Sequence, residues 1–153
     1  MGTSLNDELV ALLRDEESMK MLATTDADGS PHAVLKQSLT VGENGNIVYL
    51  ELLESSHTNK NLLRALWFGQ RVAVAVRRGS KSWQVKGRPV RAHVAGPVFQ
   101  RAYTRIRERL GDVDLAAVWV IEPEEVIDQS WATRRQQEET AHPHLLHLDR
   151  IRA

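Results

Sequence analysis

The chain has 153 residues, enough for one domain with a real core and too few for two independent ones. Its 20 basic residues balance 20 acidic ones, which excludes a surface that follows a nucleic-acid backbone or an anionic membrane by bulk charge. With no cysteine, no basic-then-apolar leader at the start and no apolar run long enough to span a bilayer, disulfide scaffolds and thiolate chemistry are excluded and a soluble, cytoplasmic protein is expected.

From the N-terminus, Leu5, Leu9, Leu12 and Leu13 recur at helical spacing behind Ser4 or Asn6, with Asp7 and Glu8 in the first turn. They predict a short amphipathic helix packed on the outside of a sheet. Ser18 to Thr25 alternates, Met19, Met21 and Ala23 against Lys20, Leu22 and Thr24, and stops at the turn signal Asp26 to Pro31. A second strand is expected from about His32 to Val41. Asn44-Gly45, the strongest short hairpin signal, leads into a third strand, Ile47 to Leu53, so the first three strands read as a meander.

A hydroxyl-rich loop, Ser55 to Asn61, then opens a helix over Leu62 to Phe68. Arg71 to Val76 alternates valine with alanine, Arg77 to Ser80 turns the chain, and a long strand runs from about Lys81 to Val94, with Pro89 marking a bend or an edge. Gly96-Pro97 opens a helix that reaches Leu110 and closes at Gly111. Leu115 to Ile121 suits a buried strand, and a polar tail, helical or irregular, follows from about residue 129 through the charged run Arg134 to Glu139. About six strands and two or three helices, joined mainly by hairpins, predict a mainly β (α+β) single domain: an antiparallel barrel with peripheral helices. A doubly wound nucleotide fold is disfavoured, because no Gly-rich turn follows a strand as its phosphate site requires.

Three segments carry residues suited to one anion. Lys36 and Ser38 share a face of the second strand, Ser82, Gln84 and Lys86 share a face of the long strand, and the loop Ser55 to Lys60 leaves the third strand. Backbone N–H groups at a helix start have no intrahelical partner and favour a phosphate, and Lys60 would add a full charge. Ser, Thr and Asn are also the commonest helix N-caps, and a lysine on an alternating strand is commonly its solvated face. Trp67, Phe68 and Trp119 read as core aromatics. His142, His144 and His147 form a surface cluster in the tail with no acid at ligand spacing, so no metal is expected there. His57 stands inside the anion loop, where it could touch a phosphate or donate a proton.

The order HAVLKQSL, NIVYLELLESSHTNKNLLRALWFGQRVAVAV, SWQVKGRPVRA, GPVFQRAYTRI and AAVWVIEPEEV, over about Met19 to Asp128, resembles the FMN-binding split β-barrel family that includes pyridoxamine 5′-phosphate oxidase. The resemblance implies an antiparallel split barrel that binds FMN as a homodimer, with the flavin at the subunit interface. It implies phosphate anchors at Lys36, Gln37 and Ser38 on the second strand and at Ser55, Ser56, Thr58, Asn59 and Lys60 before the internal helix. The glutamine of the family's long strand matches Gln84 by local residues and Ser82 by counting back from Gly87. Pyridoxamine phosphate oxidases end in a tryptophan and an arginine–leucine–histidine element that holds the substrate phosphate, and IEPEEVIDQSWATRRQQEETAHPHLLHLDRIRA lacks it.

The expected function is therefore an FMN-dependent oxidoreductase of open substrate, exchanging electrons with a small-molecule donor or acceptor. The alternatives are a non-catalytic flavin carrier, store or sensor, or a barrel that holds haem, with His57 or His93 as the suspects, or a deazaflavin. No residue identifies itself as a catalytic acid or base.

Overall fold

The computed structural model describes residues 3–145; His147 lies outside them. In chain order the elements are α1 (Asp7–Arg14), β1 (Met19–Thr25), β2 (Pro31–Leu35), β3 (Thr40–Val41), β4 (Ile47–Glu51), α2 (His57–Phe68), β5 (Val72–Arg78), β6 (Lys81–His93), α3 (Gly96–Leu110), β7 (Ala117–Asp128), α4 (Trp131–Ala141) and a final 3₁₀ turn at Pro143–Leu145. The strands form one antiparallel sheet in the order β2-β1-β5-β6-β7-β4-β3.

That order forces the sheet to curl. β2 and β3 occupy opposite edges, yet only Lys36 to Leu39 separates them. Five Cα steps reach about 18 Å, whereas six gaps of a flat sheet would set the edges about 29 Å apart. The corner is held by its own side chains. The Ser38 hydroxyl donates to Leu50 O at 2.9 Å and accepts from Leu50 N–H at 3.3 Å. The Gln37 amide donates to Ser18 O at 3.0 Å and accepts from Lys20 N–H at 3.3 Å. The single strand expected over His32 to Val41 is therefore two strands at opposite edges, and the expected meander is two separate hairpins, β1-β2 and β3-β4.

The barrel interior is filled by alternate residues of each strand, among them Leu22, Val74, Val85, Tyr49 and Trp119. On β1 the inward face is the one that carries Lys20, Leu22 and Thr24, and the Met19-Met21-Ala23 face looks out. α1 sends Leu9 and Leu13 into this core and α2 sends Leu62 and Ala65. Arg78 pairs with Asp15 and Glu17 just after α1, at the start of β1, while Asn61 of α2 bonds Thr24 at the other end of that strand. The two helices thus close opposite ends of the barrel, and α1 plugs it instead of lying outside a sheet. On the outside, Ile106 of α3 packs on Val118 and Leu115 and covers β4 and β7.

Two further boundaries differ from the sequence reading, and the tail takes the helical one of its two expected forms. α2 begins at His57, because the Ser56 hydroxyl accepts the Asn59 N–H at 3.0 Å and caps the helix there. β7 continues through Pro123 to Asp128 because Pro123 stands opposite Gly87 at a register shift. A Cβ on Gly87 would lie 2.3 Å from Glu122 O, so only glycine admits this close approach. The tail forms α4, started by the Asp128 carboxylate, which accepts from Ser130 N–H at 2.9 Å and the Thr133 hydroxyl at 3.0 Å. Trp119 is buried as expected, but Trp67 and Phe68 are 79% and 75% exposed, because they fall on the outward turn before the Gly69 cap. Among the described residues no helix is long and apolar enough to cross a membrane.

Candidate functional site

The inward alternation of β4 places Ile47, Tyr49 and Glu51 in the interior, so a carboxylate, 2% exposed, sits where the strand ends. It is fully engaged. Tyr49 donates to Glu51 Oε2 at 2.7 Å, Ser56 donates to the same oxygen at 2.8 Å, and Leu53 N–H donates to Oε1 at 3.1 Å. Burial, then the hydrogen bond and charge of Glu51, push the Tyr49 phenol far above its ordinary value.

The polar residues of the first turn of α2 divide between interior and solvent. Asn59 accepts from Trp119 Nε1 at 2.9 Å and donates to Glu54 O at 2.9 Å. Thr58 Oγ1 lies 3.3 Å from His32 Nε2. Asn61 donates to Thr24 and to Asp26 at 3.0 and 2.8 Å. Ser55, His57 and Lys60 face outward. His57 stacks on His32 with ring centroids 5.8 Å apart, and both rings lie within about 4 Å of Asp26 Oδ1.

Lys36, Gln37 and Ser38 line an open cleft of about 660 Å³ with Tyr49, Glu51 and Leu53. The Lys36 ammonium rests 5.6 Å from the centre of the Tyr49 ring, a cation–π contact at the barrel rim. The chain leaves this cleft at Leu53 and enters the Ser55–Ser56 turn, so the second-strand and loop candidates adjoin.

Ser82 and Gln84 sit elsewhere, on the outer face of β6. Strand register sets Leu35, Met21, Ala75, Gln84 and Ile127 in one row across five strands. Gln84 is three inter-strand gaps from Leu35, about 14 Å. Among the described residues the Gln84 amide has no protein hydrogen-bond partner, though it is half-buried. Backbone groups of Ser82 bond the Ser130 hydroxyl at 3.0 and 3.3 Å, which ties β6 to the start of α4.

The structure thus gathers Lys36 to Ser38 with the β4 end and the α2 cap, and sets Ser82 and Gln84 apart on the outer face of β6. Sequence reasoning passed over Glu51, His32, Asp26 and Lys20. An inward parity at Glu51 and Lys20 was the available signal, since a charge on a buried strand face is anomalous. His93, half-buried on β6, is held below the ordinary histidine value by burial and then by Arg91. His142 and His144 are exposed at the end of α4. Among the described residues no three His, Asp or Glu side chains are placed to hold one metal ion.

No protein-family sequence model matches the chain, and no curated protein matches it. Solved structures do. HupZ of Group A Streptococcus is 20% identical, with a TM-score of 0.67 over 83% of this chain and 95% of that one. A pyridoxamine 5′-phosphate oxidase-like protein of Lactobacillus delbrueckii is 24% identical, with a TM-score of 0.63 over 81% and 93%. An FMN-binding protein of Syntrophomonas wolfei is 14% identical, with a TM-score of 0.65 over 79% and 83%. The same fold occurs in an F420 reductase and in the haem storage protein HutZ of Vibrio cholerae, with TM-scores of 0.60 and 0.53. The curled seven-stranded sheet is therefore the split β-barrel shared by pyridoxamine 5′-phosphate oxidase-like and FMN-binding proteins.

Proposed function

We propose that this protein is a cytoplasmic FMN-binding flavoprotein, an oxidoreductase that works as a homodimer with its flavin between the outer sheet face and a second copy. One observation carries the reading: Gln84, a half-buried amide without a partner among the described residues, lies in an otherwise apolar row. An apolar shelf with one free amide suits a flat heteroaromatic ring whose edge alternates donors and acceptors. The FMN-binding and pyridoxamine 5′-phosphate oxidase-like proteins of the same fold support the choice of ligand.

The residues fit such a group. Lys60 and Ser55 are exposed at the α2 start, where they can meet a phosphate, and Lys36 adds a cation at the adjoining rim. Ser38, Ser56, Thr58 and Asn59 hold the fold with the same side chains, so their part is to fix the loop and leave its outward groups in place. Bound FMN supplies hydride and electron transfer at its ring, and the protein contributes orientation and hydrogen bonding. The small side chains of Ala73 and Ala75 allow a second copy to approach the shelf closely.

The test is titration of purified protein with FMN, followed by its visible spectrum. Lys60→Ala and Gln84→Leu should each weaken FMN about tenfold, since a charge-assisted or buried hydrogen bond contributes about 1.5 kcal/mol. Unchanged affinity in both folded variants would overturn the assignment. Oxidation of NADH or NADPH by the loaded protein separates an oxidoreductase from a flavin store or carrier. The second reading is haem, with His93 as its candidate ligand, since burial and then Arg91 shift that imidazole towards the neutral, iron-ligating form. A haem-type spectrum would establish it.

A further inference from the structure

Between α1, the Lys36–Leu39 corner and α3 lies a second cleft, of about 520 Å³, that the flavin reading does not use. Arg14, Lys20, Arg105 and Arg109 line it against one acid, Glu16. The acid is taken, since Arg109 pairs with Glu16 at 2.8 Å. Among the described residues Arg14 reaches only Val41 O, at 3.4 Å. Among the described residues Arg105 has no carboxylate within ion-pair distance.

Lys20 is the telling member. It is 3% exposed, and among the described residues its ammonium donates to a single group, Leu39 O, at 2.9 Å. An ammonium has three donors, and a buried cation without a counter-charge is costly. Burial lowers the Lys20 pKa, Glu16 opposes that shift, and Arg109 adds to it. Leu39, Leu50, Ile106 and Leu110 give the cleft an apolar wall, and Gln37, Ser38 and Thr40 complete the lining.

We propose that this cleft binds an organic anion with an apolar body, its carboxylate or phosphate head against Lys20 and Arg105 and its body on Leu50, Ile106 and Leu110. The cleft size falls within the ordinary range for small-ligand sites. A cation surplus at one end and an aliphatic wall at the other select for an amphipathic acid over inorganic phosphate. The cleft adjoins the Lys36 cleft through Gln37, Ser38, Leu50, Ile106 and Leu110, but neither Gln84 nor Lys60 lines it, so it needs no flavin.

The experiment titrates the purified full chain with naphthoate, naphthyl phosphate and the neutral naphthylmethanol, reading backbone amide NMR shifts at Ser38 to Thr40 and Ile106 to Leu110. At least one anion should bind there about tenfold more tightly than the alcohol, and the tighter of the two identifies the head group. Arg105→Ala, an exposed change, and Lys20→Met should each weaken that anion about tenfold, and added salt should weaken it further. If Lys20→Met fails to fold, Arg14→Ala with Arg105→Ala takes its place. Absent shifts at these amides, equal binding of the alcohol, or unchanged affinity in the folded variants would overturn the proposal.

Discussion

The Ser56 hydroxyl donates to the buried Glu51 carboxylate at 2.8 Å, so the start of α2 already carries a negative charge of the protein's own. The same hydroxyl accepts Asn59 N–H at 3.0 Å. A helix start that looked from sequence like an open anion loop is partly a closed internal network, with only its outer side, Ser55, His57 and Lys60, left to a ligand.

Glu51→Ala should destabilise the fold by about 3 kcal/mol in urea unfolding. It leaves the Tyr49 hydroxyl, the Ser56 hydroxyl and Leu53 N–H without their acceptor, and each buried orphan costs about 1 to 3 kcal/mol. Glu51→Gln keeps an acceptor oxygen and should cost less, about 1 kcal/mol. In either variant the Tyr49 phenol should titrate lower than in the wild type, because the Glu51 charge that helps burial raise it is gone, and in Glu51→Ala the hydrogen bond goes with it. An unmoved phenol in ultraviolet titration would contradict this account.

Ser56→Ala and Lys60→Ala should separate, although the two residues sit in one turn. The first removes a cap and a Glu51 partner and should cost about 1 to 2 kcal/mol. The second removes an exposed cation and should leave stability within about 0.5 kcal/mol. Denaturant midpoints of both variants check the contrast.

Much of the fold was legible because its signals are local. Asn44-Gly45 marks a hairpin, and Gly96-Pro97 with Gly111 brackets α3. The failures are places where distant partners decide. Thr58, Asn59 and Asn61 are poor helix formers and read as loop, but Trp119, Thr24, Asp26 and His32 satisfy their side chains and hold the turn helical. The Lys36 corner carries no glycine or proline to announce it. On β1 the alternation left the inward face open, because the outer Met19-Met21-Ala23 face is also apolar. The same half-buried outer face gives Gln84 its interest, and a sequence cannot say which of two apolar faces is inside.

Asn59→Ala should cost about 2 to 3 kcal/mol. The change orphans the buried Trp119 indole N–H and Glu54 O together. Trp119 is itself fully buried, so its fluorescence should report local loosening before global unfolding. A stability equal to wild type would show that the indole finds another acceptor.

Gly87→Ala should destabilise by about 2 kcal/mol or more, because the new methyl meets Glu122 O, a backbone atom that cannot rotate away. Relief requires β7 to move off β6 at Pro123, and amide exchange should quicken at Lys86 and Glu125, the pair beside the bulge. A variant of native stability would mean that the register shift absorbs the methyl.

Lys20 gives a pH dependence with a definite sign. Its folded pKa lies below the unfolded value, chiefly through burial, so between those two values the unfolded chain binds more protons than the folded one. Stability then rises with pH across that window, which ends near the ordinary lysine value of about 10.4. Below the folded pKa the buried charge exacts its full cost. Lys20→Met removes the titration, so wild type should gain stability relative to the variant as pH is raised from neutral towards about 10. The same substitution should weaken the organic anion, because the charge that destabilises the empty cleft is the one a bound carboxylate or phosphate would compensate. Parallel stability curves for the two proteins across that range would show that Lys20 is solvated, and would remove the main support for an anion in this cleft.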